Sequence, residues 1–403
     1  MDMPASQRWT DTSRLRFVLL FGAVNLFADM TYEGARSILG LYMAGLGASG
    51  FAVGAVSGFG ELLGYALRLA SGRWADRTRL YWPITLAGYV VQMVAVPTLA
   101  LVGTWPHAAV LILAERTGRA TRTPPRDVML AAAGEHMGRG WAFGVNEALD
   151  QLGALIGPLA VAAILFVWRD AHPAFGALAA PALVTLALVV GLRLAYPHAG
   201  RGAHGGATAA DRRYPSAFWW YLVAVSLVAF GFADYSLISY HYARAAIVPH
   251  PWIPVLYALA MGAGGLGSLA LGKLFDRRGL MVLVPLTAVV AAYAPLAFSG
   301  DVASAVAGAV LWGIGLGAHE SVMQAAVAQM VPRQRLGSAY GLFGAVFGIA
   351  WFVGSAVLGA LYDVSVAACA AVAATAQLLA ILPLVVAARR LRACGSPVVK
   401  ARI

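Results

Sequence analysis

The run FGAVNLFADMTYEGARSILGLYMAGL, residues 21–46, is apolar at both ends and carries Asp29, Glu33 and Arg36 in its middle. With Asn25 these residues recur at spacings of four, four and three, which puts them on one face of a helix. Carboxylates and a guanidinium on such a face can carry a proton, hold a charged ligand, or hold one another as structural glue. If a helix starting near residue 15 crosses a bilayer here, Asp29 lies about 14 residues and about 20 Å along it, near the midplane. An isolated charge at that depth costs at least about 2.5–3.5 kcal/mol on insertion scales, so this face must look at partners or water.

Other apolar runs repeat the pattern. Glu61 and Arg68 stand two turns apart, and Glu115 is followed by Arg116, Arg119, Arg122 and Arg126, a basic stripe at spacings of three, three and four. Asn146, Glu147, Asp150 and Gln151 answer it with acids and amides. The second half is sparser: Asp234 with Tyr235 and Tyr240, then His241, and later His319 with Glu320. Desolvation favours a neutral carboxyl and a nearby arginine an ionised one, so the state of the protein can set protonation. Asp29, Glu33, Glu61 and Asp150 are therefore the candidates for proton coupling, with Asp29 and Glu61 foremost. Arg36, Arg116, Arg119, Glu147, Gln151, Asp234, Tyr235, His319 and Glu320 are the candidates for binding a substrate. A guanidinium matches carboxylate or phosphate with paired donors, although the stripe can equally pair with the nearby acids and lipid phosphates. Trp312, Trp351 and Phe352 are aromatic candidates for substrate contact or for bundle core.

These residues must be positioned by membrane-spanning helices. The 403 residues are 60% hydrophobic and 12% charged, with mean hydropathy +0.74. Soluble domains run at about 45–50% apolar and about 25% charged, so too few charges remain to form a polar skin. The net charge of +11 is spread singly at the ends of apolar runs, which argues against a nucleic-acid partner. Cys369 and Cys394 are too few for a disulfide framework, and no metal-ligand cluster, phosphate-binding Walker loop or Gly-x-Ser-x-Gly elbow is present. No cofactor or metal is expected, and an enzyme is disfavoured. The polar start MDMPASQRWTDTSRLR does not read as a cleaved signal peptide.

Twelve apolar segments each approach the roughly 20 residues that span a bilayer. They fall near 15–43, 48–71, 82–103, 107–133, 140–167, 173–195, 216–242, 253–275, 280–299, 302–331, 336–361 and 365–388. The polar, Gly/Ala-rich stretch 196–215 reads as a flexible linker. The expected organisation is a bundle over 1–195, the linker, and a second bundle over 216–403 with a short tail. Alternate loops collect the basic residues: Arg73, Arg77 and Arg79; Arg139; Arg201, Arg212 and Arg213; Lys273, Arg277 and Arg278; Arg333 and Arg335; then Arg389, Arg390 and Arg392. By the positive-inside pattern both termini face the cytoplasm, in a cytoplasmic (inner) membrane. The halves also echo one another. Gly72 and Asp76 match Gly272 and Asp276 at an offset of 200, and GWAFG at 140–144 matches GSAYG at 337–341 at 197. Parallel repeats place a substrate site between two bundles.

The Gly-x-x-x-Asp-Arg pattern at Gly72, Asp76 and Arg77, repeated at Gly272, Asp276 and Arg277, resembles the signature loop of the major facilitator superfamily. The stretch GALIGP at 153–158 resembles that superfamily's exporter motif, with Gly153, Gly157 and Pro158 in place and Val161 and Ala162 where a further glycine pair stands. The resemblance covers essentially the whole chain. It implies an all-α integral membrane protein of twelve transmembrane helices in two six-helix bundles. It also implies that the loops latch the halves in one state, with Asp127 accepting from Arg77 or Arg79. The function expected is proton-coupled export of a small organic molecule by alternating access, by a protein active as a monomer. The alternative is import or exchange of a small organic anion held by the intramembrane arginines.

Overall fold

A computed structural model gives the fold. It describes residues 11–134, 139–199, 214–332 and 335–393, and for 11, 139, 140, 320 and 337 the backbone alone. Most of the expected linker, with Arg201, Arg212 and Arg213, lies outside the described residues, as do Arg333, Cys394 and the side chains of Arg139 and Glu320.

Every apolar run became a helix or a pair of helices, and no strand occurs among the described residues. The first half holds α1 (Asp11–Gly45), α2 (Gly50–Thr78), α3 (Tyr81–Thr98), α4 (Trp105–Ala133), α5 (Arg139–Trp168), α6 (Ala171–Ala177) and α7 (Ala179–Ala195). In the second half follow α8 (Ser216–Phe230), α9 (Tyr235–Arg244), α10 (Trp252–Arg278), α11 (Leu283–Val290) and α12 (Tyr293–Ala297). The chain goes on through α13 (Val302–Glu320), α14 (Val322–Met330), α15 (Leu336–Val364), α16 (Val366–Leu379) and α17 (Ile381–Ala393).

Among the described residues, ten stretches are long and apolar enough to cross a membrane. One of them, Trp252–Ala297, has 46 residues, which as a single helix would run about 69 Å, more than twice an apolar core of about 30 Å. It folds back instead at Gly279, whose φ of 63° is open to glycine and strained for other residues. Helix α4 has the length to span, and its charged residues alone set it apart from the ten. The twelve expected runs fit this arrangement. One boundary differs: α2 continues to Thr78, so Gly72, Asp76 and Arg77 form its last turns and not a loop. No helix breaker interrupts the chain there, and α10 likewise runs through Gly272, Asp276 and Arg277.

The chain forms two compact units, Met1–Ala35 with Leu67–Gly205, and Arg36–Ala66 with Gly206–Ile403. The hairpin tip Arg36–Ala66 thus packs with the second half of the sequence. The first unit is centred on Phe17, Phe21, Trp82, Tyr89, Met93 and Met129, all buried. In it α1 meets α5 backbone to backbone: a Cβ on Gly153 would overlap the Leu26 carbonyl oxygen, and one on Gly157 that of Met30. Pro158, next to Gly157, lies inside α5 and removes one ladder hydrogen bond. In the second unit Gly313 of α13 lets the Ala260 carbonyl of α10 approach in the same way.

Candidate functional site

In the first unit a chain of polar side chains runs through the apolar interior. Asn25 on α1 donates to Asn146 on α5 at 2.6 Å and accepts from the Tyr89 hydroxyl at 2.8 Å. Arg122 on α4 donates to Tyr89 at 2.9 Å and through Nε to Gln92 at 2.6 Å, and Gln92 donates in turn to Glu115 at 2.9 Å. Arg116 lies 3.7 Å from the other Glu115 oxygen and donates to the Tyr32 hydroxyl. The Arg119 and Arg122 guanidinium carbons stand 3.9 and 4.3 Å from the Tyr32 and Tyr89 ring centroids. Such a network is tolerable in a low dielectric because each buried group finds partners.

Three acids stand at its edge. Asp29 is buried and makes no hydrogen bond or ion pair with a described residue. Arg119, Arg122 and Arg126 bear on it from α4, and Glu33 from its own helix. Asp150, one turn before Gly153, has a buried Oδ1 with no hydrogen-bond partner among the described residues. Glu33 is buried as well. Close backbone contact at Gly153 and Gly157 brings the acids of α1 and α5 to one seam.

In the second unit Arg36 is the buried cation. Its NH2 lies 3.0 Å from Asp234 Oδ2 and 3.8 Å from Glu61 Oε1. Asp234 stands where α8 and α9 break apart, at residues 231–234. Its other oxygen caps α9, accepting from the Ser236 amide at 2.9 Å and hydroxyl at 2.8 Å. Aromatic side chains hold the break open. Tyr293 donates to the Gly231 carbonyl at 2.8 Å and accepts from the Ala233 amide at 2.6 Å, while Trp312 Nε1 donates to the Ala233 carbonyl at 2.8 Å. The Phe232 ring lies among Tyr293, Trp312, His319 and Trp351, with centroids 4.4 to 5.7 Å apart. The break therefore carries its own partners for the backbone groups that unwinding releases.

The structure sorts the expected residues. Arg36, Glu61 and Asp234 come together, as do Arg116, Arg119, Asp29 and Glu33. Glu147 and Gln151 are exposed or half-exposed and bond one another at 3.0 Å. Tyr235 spends its hydroxyl on the Ile253 carbonyl and packs on Tyr257 and Trp312. His319 is buried, with no hydrogen-bond partner for Nδ1 among the described residues. The partner found at Asp127 is its neighbour Arg126, at 2.9 Å. Tyr32, Tyr89, Gln92 and Tyr293 escape sequence reading, because a tyrosine or glutamine in an apolar run has no spacing that marks it.

A helical bundle of this length, with buried charges on facing helices and a broken helix at mid-chain, has the architecture of a multi-pass membrane transporter. The family model of the Major Facilitator Superfamily matches residues 18–355 and again 251–394. The chain belongs to that superfamily. An uncharacterised protein of Mycobacterium tuberculosis is 39% identical over 386 residues, 94% of this chain and 93% of the relative. An uncharacterised transporter of the same superfamily in Methanocaldococcus jannaschii is 28% identical over 141 residues, 35% of each chain. Among solved structures, a peptide transporter in complex with sulfate superposes with a TM-score of 0.76 at 16% identity, covering 93% of this chain and 95% of its own. A nucleoside transporter gives 0.70 at 13%, covering 94% and 98%. A bacterial homologue of the human lysosomal transporter Spinster gives 0.66 at 14%, covering 94% and 96%. At these identities the likeness is one of fold.

Proposed function

We propose that the protein is a secondary active transporter that exports a small organic molecule by alternating access, driven by proton binding at the Arg36 cluster. The observation that carries this reading is the unequal contest for one buried guanidinium, with Asp234 at 3.0 Å and Glu61 at 3.8 Å. A proton on Glu61 leaves Arg36 to Asp234, whereas an ionised Glu61 draws it away. Because Asp234 caps α9 at the break in the helix, that shift reaches the backbone and gives proton binding a mechanical output. Asp29 and Asp150, at the α1–α5 seam, are second carboxylates for the same task. The export direction rests on the resemblance of GALIGP, residues 153–158, to the superfamily's exporter motif, whose Gly153 and Gly157 here pack α5 closely on α1.

The test uses proteoliposomes and the compounds that raise the melting temperature of the purified protein in a metabolite screen. Glu61→Gln is expected to abolish uphill transport driven by a pH gradient while substrate counterflow continues. Uphill transport at wild-type rate in both Glu61→Gln and Asp29→Asn would sink the proton-coupling assignment.

A further inference from the structure

Four arginines stand along α4, and three have hydrogen-bond or ion-pair partners. Arg116 donates to Tyr32 and sits beside Glu115; Arg122 is 1% exposed and donates to Gln92 and Tyr89; Arg126 holds Asp127. Arg119 is different. It is half-buried with its guanidinium carbon over the Tyr32 ring, 3.9 Å from the centroid, and it donates no hydrogen bond to a described residue. Asp29, Glu33 and Glu115 bear on it electrostatically but none pairs with it.

A guanidinium carries five N–H donors in a plane, and those of Arg119 are not shut away from solvent, so they are open to a ligand. Contact with an aromatic face restricts the guanidinium without using its N–H donors in hydrogen bonds, and such donors can take a carboxylate or phosphate by two parallel bonds. Tyr32 is itself fixed, because its hydroxyl accepts from Arg116. The field here is mixed in sign, so charge alone does not select a ligand. The unmade donors do.

We propose that Arg119, clamped on Tyr32, is the docking point for an oxyanion of the transported molecule, a carboxylate or phosphate, so that the substrate is an organic anion. This rests on the transporter reading and names the substrate class within it. Arg116 acts as a positioning residue through the Tyr32 hydroxyl, and Arg122 and Arg126 belong to the scaffold.

The experiment measures ligand-dependent melting and binding by the purified full-length protein. The probes are pairs that differ in charge at similar shape: benzoate with benzamide, phenyl phosphate with dimethyl phenyl phosphate. At least one anion is expected to stabilise the wild type while its neutral partner does not. Arg119→Gln is expected to weaken that anion about tenfold to a hundredfold, the loss of a charge-assisted hydrogen-bonded contact. Arg119→Lys, which keeps charge without the fork, is expected to lie between, and His172→Ala to bind as wild type. If Arg119→Gln fails to fold, protection of Arg119 from phenylglyoxal by the anion, read by mass spectrometry on the wild type, decides the same question. The proposal is overturned if no anion stabilises the wild type, if neutral partners bind as well, if Arg119→Gln binds unchanged, or if the anion leaves Arg119 unprotected. Proton-driven transport of neutral compounds would overturn the anion assignment alone and leave the transporter reading standing.

Discussion

In the first unit Arg122 reaches Tyr89 and Gln92, side chain to side chain; in the second, Trp312, Tyr235 and Tyr293 reach backbone carbonyls. The materials suit different duties. A side-chain network can trade partners when one group gains or loses a proton, because every member has rotamers to spend. Indoles and phenols bonded to the main chain hold a shape, here the break at 231–234. Charge chemistry is concentrated in the first unit and fixed backbone geometry in the second, and the Arg36–Asp234 pair is where a charge meets such geometry. Variants on either side can break or sharpen this contrast.

The largest expected effect is on shape. Gly313→Val sets a side chain against the Ala260 carbonyl, where no flexible neighbour can give way. A loss of about 3 kcal/mol or more is expected. It is read as collapse of the monodisperse gel-filtration peak and the melting transition in detergent; a folded, equally stable protein would show that the α10–α13 contact bends freely.

Next comes the contest for Arg36. Asp234→Asn leaves a buried guanidinium with its more distant carboxylate, while the amide oxygen can still cap α9. About 2–3 kcal/mol is expected, somewhat below the usual 3–5 for a stranded buried charge because Glu61 stays in reach. Glu61→Gln, whose side chain is 21% exposed at 3.8 Å, is expected to cost under about 1 kcal/mol. Equal losses in the two variants, measured by thermal melting, would remove the distinction between tight and loose partners on which the proposed coupling depends.

Trp312→Phe tests the backbone clamp by itself. It keeps most of the ring packing and removes the bond to Ala233, so about 1 kcal/mol is expected. Hydrogen exchange should rise around residues 231–234 while the first unit stays protected. A rise spread evenly over both units would contradict the clamp.

Much of this arrangement is legible in the sequence. Hydropathy marks the helical runs other than the charged α4, and charges at helical spacing mark Asp29, Glu33, Arg36 and the α4 stripe, since a charge in an apolar run is conspicuous at any position. Partners are less legible. Arg36 and Asp234 are 198 residues apart, and no local period links them. The break at 231–234 contains Gly231 but no proline, and the tyrosine and tryptophan that stabilise it come from α12 and α13. The four arginines of α4 look alike in sequence. What separates Arg119 from Arg122 is which neighbours from α1 and α3 meet each turn, and that is set by packing at glycines such as Gly88, Gly118 and Gly153.

The smallest effect concerns two helix caps in loops, one in each unit. Asp170 caps α6, accepting from the His172 amide at 3.1 Å and facing the His172 ring at 2.9 Å; Asp301 caps α13, accepting from the Ser304 amide at 2.9 Å. Hydrogen bonding to His172, side chain first and then backbone, holds the Asp170 carboxyl below its usual value, and Ser304 does the same for Asp301. For a carboxylate lowered on folding, the stabilisation is complete above the unfolded value, about 3.9, and is lost as pH falls through the lower folded value. Both caps should therefore be at full strength at neutral pH and weaken only in acid. Asp170 is 56% exposed, so solvent screening keeps its share under about 1 kcal/mol. Asn caps as well as Asp but does not titrate there. Asp170→Asn should then match the wild type near pH 4 and exceed it slightly near pH 2–3 in melting temperature, while Asp170→Ala should fall below both at neutral pH. His172→Ala keeps the backbone cap and removes the ring, so its acid sensitivity should shift towards that of Asp301. If His172→Ala leaves the acid limb of the melting profile unmoved, the ring adds nothing to the cap, and the two units cap these helices in the same way.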